Sequence, residues 1–262
     1  MRIFTFKNLR ILTLIIALAA VLLYTQDQRL VTQGWYKPLE VVVFPINADG
    51  SLASKSYIDK LSNKKFSGID KFIKKESEKF DVVSSTPTIT TLGAEVSTLP
   101  PKPPGLNANI LSIAMWSMKL RWWATKNTPD EKSNKHRVRM YVLYHDEATN
   151  EKLEHSLGLQ KGLLGIVNAF ASDHQSKQNN IIIAHELLHT VGASDKYEAG
   201  SGNPIPPDGL GEPDRKPLYP QRLAEIMAGT VASSASASKM ANSLKSCVVG
   251  HKTATEIGWI RQ

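Results

Sequence analysis

Residues 181–191 read IIIAHELLHTV, an apolar run broken by two histidines and a glutamate. A run this apolar belongs inside a protein. Each polar group buried there without a partner costs roughly 1–3 kcal/mol. His185 and His189 are four residues apart, so a helix stacks them on one face, one turn above the other. Their ring nitrogens then reach one metal ion at about 2.0–2.1 Å, the distance Zn²⁺ requires. Glu186 adjoins the first histidine, where its carboxylate reaches a water on that metal and acts as general base. Two satisfied core histidines and an exposed glutamate would explain the pentapeptide alone. The residues that follow weigh against this. Gly192 stops the helix with a left-handed backbone. Asp195, six residues past His189, then comes round to offer a carboxylate to the same metal. Glu198 and Glu225 are the competing carboxylates. Two histidines, an aspartate and a water make the open site that catalysis needs.

HELLHTVGASD resembles the extended zinc motif of the metzincins, HExxHxxGxx followed by His or Asp, in the Asp form of snapalysin-type peptidases. The resemblance implies a zinc peptidase with Glu186 as catalytic base and His185, His189 and Asp195 as metal ligands. It covers mainly residues 162–227. Within it, Glu225-Ile226-Met227-Ala228-Gly229 is similar to the family's methionine turn, which makes Met227 a hydrophobic floor rather than a ligand. The stretch 162–167, GLLGIV, is similar to the family's edge strand. That similarity implies that Gly165, Ile166 and Val167 line the cleft, where an extended peptide adds to them by main-chain hydrogen bonds. Tyr197 and Tyr219 are candidates for stabilising an oxyanion, with Tyr197 also suited to packing under the motif helix.

The N-terminus adds a location. Arg2, Lys7 and Arg10 precede Ile11–Tyr24, ILTLIIALAAVLLY, 14 residues without a charge. This is the pattern of a secretory signal or signal anchor, set here at residues 1–28. A full span needs about 20 residues, which favours a cleaved signal. The stretch after the run, LLYTQDQ, is a poor cleavage site and favours an uncleaved anchor. A buried N-terminal helix is the third reading. Either of the first two places residues 29–262 outside the cytoplasm. They face the periplasm or exterior from a bacterial inner membrane, or are secreted. The one cysteine, Cys247, excludes an internal disulfide and a thiolate zinc site.

Net charge is +8. Much of the excess falls between Lys55 and Lys79, which reads as a solvated helix face or as a surface against anionic headgroups. No finger, glycine-aromatic motif or arginine-rich arm points to nucleic acid. The partners expected are a peptide or protein substrate and a membrane; the oligomeric state is not legible.

The pattern of elements is α+β. It predicts a mixed twisted sheet over an active-site helix (39–192), then an irregular, helical lower part (193–262), zincin- or metzincin-like. Residues 40–47 read as a first strand, at a sheet edge because of Pro45. Residues 56–80 read as two helices broken near Ser67-Gly68, and 88–97 as a strand. Residues 110–124 read as a helix whose Met and Trp stripe is core, and 137–145 as a strand. Strands are expected within 156–172 and a helix over 179–191. Residues 197–220 read as a long loop, and 233–246 and 251–260 as C-terminal helices. Two function classes remain: a peptidase, or a membrane-anchored zinc- and peptide-binding protein of the same fold without turnover.

Overall fold

A computed structural model describes residues 6–105, 108–129, 136–160 and 162–260. The chain is α+β. A five-stranded mixed sheet has the order β2-β1-β3-β5-β4, formed by β1 (Leu39–Asn47), β2 (Thr88–Leu92), β3 (Val138–His145), β4 (Leu157–Leu159) and β5 (Leu164–Phe170). All neighbours pair in parallel except β4, which lies antiparallel to β5 at one edge. Parallel strands are covered on both faces and read as continuous apolar runs. β1 shows this: Val41 and Val43 face one core, while Phe44 and Ile46 face the other.

The first core lies under the helices α3 (Asn63–Ser77) and α5 (Ser176–Thr190), and the second under α4 (Ile110–Asn127). A short helix, α2 (Leu52–Ile58), precedes α3. The break therefore falls at 59–62, and Gly68 lies inside α3 rather than between two helices. The lysines at 55, 60, 64, 71, 74, 75 and 79 are exposed, while Phe66, Ile69, Phe72 and Ile73 are buried. The lysine-rich stretch is an exposed helix face.

Three further expectations are corrected. β1 is paired on both sides, although it contains Pro45. β2 pairs only as far as Val43, and the Pro45 carbonyl accepts from Val96 on that same side. The missing N–H of Pro45 thus points where the neighbouring strand has already ended. Residues 233–246 are not a helix. They hold the turn and second strand of a hairpin, β8 (Ser238–Met240) pairing with the preceding β7 (Thr230–Ala232), and a 3₁₀ turn at Leu244–Ser246. The lower part holds one short helix, α6 (His251–Glu256), and a two-stranded parallel pair, β6 (Ala224–Glu225) with β9 (Cys247–Val248). Only part of the aromatic stripe of α4 is core: Leu120, Trp123 and Ala124 are buried, but Trp122 is 66% exposed.

The N-terminal helix α1 (Phe6–Gly34) is long and apolar enough to cross a membrane, and none of an apolar 18-residue window within it is buried. It passes position 28 without a break. Its last turns dock on the domain. Gln28 and Thr32 are buried. Gln33 Nε2 donates to the Val191 and Glu256 carbonyls at 2.5 and 3.0 Å, and Trp35 Nε1 donates to the Ile257 carbonyl at 2.7 Å.

Candidate metal centre

α5 carries the motif along the first core. Its buried residues include Ile181, Ile183, Ala184, Leu187 and Leu188. Beyond Thr190 the chain turns at Gly192, whose φ is +111°. A Cβ there would lie 2.6 Å from Gln33 Nε2 and 2.9 Å from Gln160 Nε2, both ends of flexible side chains, so it is the positive φ that favours glycine. The turn sends the chain back to place Asp195 over the two histidines.

His185 Nε2, His189 Nε2 and Asp195 Oδ1 form a near-equilateral triangle with sides of 3.0, 3.1 and 3.1 Å. The opposite ring nitrogens are committed. His185 Nδ1 donates to the Ile226 carbonyl at 3.0 Å, and His189 Nδ1 donates to the Ala193 carbonyl at 2.8 Å. A carbonyl only accepts, so the proton on each neutral ring sits at Nδ1 and the lone pair at Nε2. Two imidazole lone pairs and a carboxylate oxygen then converge. Such a set repels itself unless a cation or shared protons lie among it. Tetrahedral ligands about 2.0–2.1 Å from a Zn²⁺ ion sit roughly 3.3 Å apart, close to this triangle. The residues fit a metal, and the backbone carbonyls are the partners that orient metal-binding histidines elsewhere. Among the described residues, this is the group of histidine, cysteine and carboxylate side chains close enough to share an ion.

Burial alone would raise the Asp195 carboxyl, but hydrogen bonds and charge from both imidazoles hold it below its ordinary range. Burial opposes protonation of His189, yet Asp195 and Glu186 raise it. Glu186 is 5% exposed, and among the described residues its Oε2 has no hydrogen-bond partner. Burial pushes its carboxyl up, against the pull of both histidines.

Asp195 sits on a segment tied down at several points. Lys196 N donates to the Met227 carbonyl at 3.0 Å. Lys196 Nζ meets Glu256 Oε2 and the Ser194 hydroxyl at 2.8 Å each, and Glu256 also accepts from the Ser194 backbone at 2.9 Å. Lys196 is buried. Sequence reasoning missed this knot, because Glu256 lies sixty residues away and no local pattern marks it.

The two competing carboxylates stand elsewhere. Glu225 is fully buried and accepts from Gly250 N at 3.1 Å, Thr253 Oγ1 at 2.7 Å and Met227 N. Glu198 accepts from Ser201 at 3.0 Å. Glu225 therefore shapes the turn that holds Met227, which is fully buried, and Ile226, which orients His185. Tyr197 lies at the cluster, its ring centroid 6.3 Å from that of His185. Burial, with Asp195 and Glu186 nearby, pushes its hydroxyl up to about 12. Among the described residues no hydrogen bond or ring contact joins Tyr219 to the cluster.

The edge strand is corrected by one position. Gly165, Ile166 and Val167 lie buried in β5, where Gly165 and Ile166 are paired on both sides and Val167 pairs with Val142 of β3. The edge is β4, and it rides directly on the motif. A Cβ at Gly158 would lie 2.4 Å from the Glu186 carbonyl oxygen and 2.6 Å from His189 Cβ. A side chain at 158 would push the edge strand off the helix. No protein-family model matches the sequence, and no curated protein matches it.

Proposed function

We propose that this chain is a zinc-dependent metallopeptidase of metzincin-like build, held outside a bacterial cytoplasm by α1. The observation that carries the reading is the triangle of His185, His189 and Asp195, with both Nδ1 atoms committed and the unpartnered Glu186 Oε2 beside it. A sheet with an antiparallel edge strand over the motif helix, then the Gly192 turn and the turn bearing Met227, supports the kinship.

His185, His189 and Asp195 would hold Zn²⁺, which when bound polarises a peptide carbonyl and acidifies water. Glu186 takes a proton from the attacking water and passes it to the leaving amine, so one water and one peptide bond give a carboxylate and an amine. Tyr197 stands where its hydroxyl can donate to a developing oxyanion. The outer edge of β4 offers main-chain groups to an extended substrate. A continuous α1 that docks through Gln28, Gln33 and Trp35 favours an uncleaved anchor over a removed signal.

The test is cleavage of a mixed peptide library by the full chain in detergent. Wild type should cleave and lose activity on chelation. Glu186→Gln should keep its zinc and lose cleavage. Equal cleavage by both would remove Glu186 from the mechanism.

A further inference from the structure

α4 presents an apolar stripe to the outside. Leu111, Met115, Met118 and Trp122 recur at i, i+4, i+7 and i+11, so they share one helix face. They are 68%, 47%, 63% and 66% exposed. The opposite face is fixed to the sheet through Leu120, Trp123 and Ala124, with the Trp123 ring 4.8 Å from that of Tyr141. The stripe is therefore held outward. Monomeric soluble proteins rarely leave such a row uncovered.

Its place in the fold says what covers it. The charge-free run of α1 ends at Tyr24, and α1 is hydrogen-bonded to the domain at Asp27, which meets His136 at 3.1 Å, and at Gln28, which accepts from Gly162 N at 3.3 Å. Four residues of helix, Tyr24 to Gln28, span about 6 Å. The headgroup layer on each side of a bilayer is about 5–8 Å thick. Gly162 thus sits at headgroup level when α1 spans the membrane. Arg121 of α4 packs on Gly162: its Nε is 3.3 Å from where a Cβ would stand. Trp122 is the next residue. Two lysines flank the stripe, Lys119 and Lys126, both exposed, and Lys126 Nζ lies 5.2 Å over the Trp122 ring. Lysines at such a border bury their stems and reach anionic headgroups, and tryptophan favours the same layer.

We propose that α4 is a second membrane element, lying in the interface of an anionic bilayer beside α1 through Leu111, Met115, Met118 and Trp122. It rests on the reading of α1 as a membrane span. With two contacts the domain cannot swivel about a single helix. The cleft over α5 is then held in a fixed orientation to the membrane, which favours substrates presented at or in its surface.

The experiment uses the full chain reconstituted in phosphatidylcholine–phosphatidylglycerol vesicles, with the buried Cys247 replaced by alanine. An environment-sensitive fluorophore is attached to Met118→Cys, to Leu18→Cys in α1, or to Lys74→Cys on the solvated face of α3, and brominated lipid serves as quencher. Blue-shifted, lipid-quenched emission is expected at 118 and 18, and water-like, unquenched emission at 74. Leu111→Glu with Trp122→Glu should return the 118 signal to that of water at unchanged zinc content. Water-like emission at 118 overturns the proposal. So does a blue shift without quenching, which would mark a protein contact such as a second copy. An unquenched probe at 18 overturns the α1 reading and this inference with it, whereas the peptidase reading stands or falls on zinc and cleavage alone.

Discussion

α5 and α4 cover opposite faces of one sheet and break the usual burial pattern in opposite directions. α5 buries what belongs in water: Glu186 is 5% exposed, with one oxygen unpartnered. α4 exposes what belongs in a core: Trp122 is 66% exposed, on a helix whose other face is fixed. Neither departure lowers the energy of an isolated, metal-free domain in water. The proposed function accounts for the first through a bound cation, and the proposed interfacial role of α4 accounts for the second. Departures of this kind tell more about function than the well-behaved core between them.

The contrast can be broken at several points. The largest effect belongs to α5. Glu186→Gln should lower kcat/KM for peptide cleavage by about 100- to 10,000-fold, the range of a lost general base, with zinc retained. On α4 the buried and exposed faces should differ sharply in chemical denaturation of the full chain in detergent. Leu120→Ala should cost about 2–5 kcal/mol as a core truncation. Lys196→Met should cost about 1–3 kcal/mol by removing a buried charged partner of Glu256. The same pair sets a pH limit. Burial would raise the Glu256 carboxyl, but Lys196 and Ser194 outweigh it and hold it below the usual value. A depressed carboxylate adds stability above its unfolded value near 4.5 and loses it as pH falls through the folded value. Wild type should therefore lose stability in acid more steeply than Lys196→Met, as followed by circular dichroism. The smallest effect is Trp122→Ser without lipid, within about 0.5 kcal/mol of wild type, as for a surface position.

The same contrast explains what was legible in the sequence. The ligand spacing was, because His185, Glu186, His189, Gly192 and Asp195 are local and their geometry follows from one helix and one turn. The helix of α4 was legible too, yet its stripe read as core. Periodicity reports which residues share a face and not what that face meets. The edge strand was placed in β5 instead of β4 because both runs are short and apolar, and only pairing distinguishes them. Residues 233–246 read as a helix, but the local hairpin pairing of β7 with β8 places Ser238–Met240 in a strand. The break in 56–80 was misplaced because the apolar spacing carries across 59–62, whereas Gly68 is accommodated inside α3. The knot of Lys196 with Glu256 and the docking of Gln33 were invisible because their partners are distant in the chain.

The central claim is that α5 and the Gly192 turn build a metal site. Metal stoichiometry of the purified full chain tests it most directly, measured by elemental analysis after dialysis against limiting zinc. About one zinc per chain is expected in wild type and in Glu186→Gln, and a loss of stoichiometric zinc in His185→Ala and Asp195→Ala. Wild type with no more zinc than those two variants would contradict it.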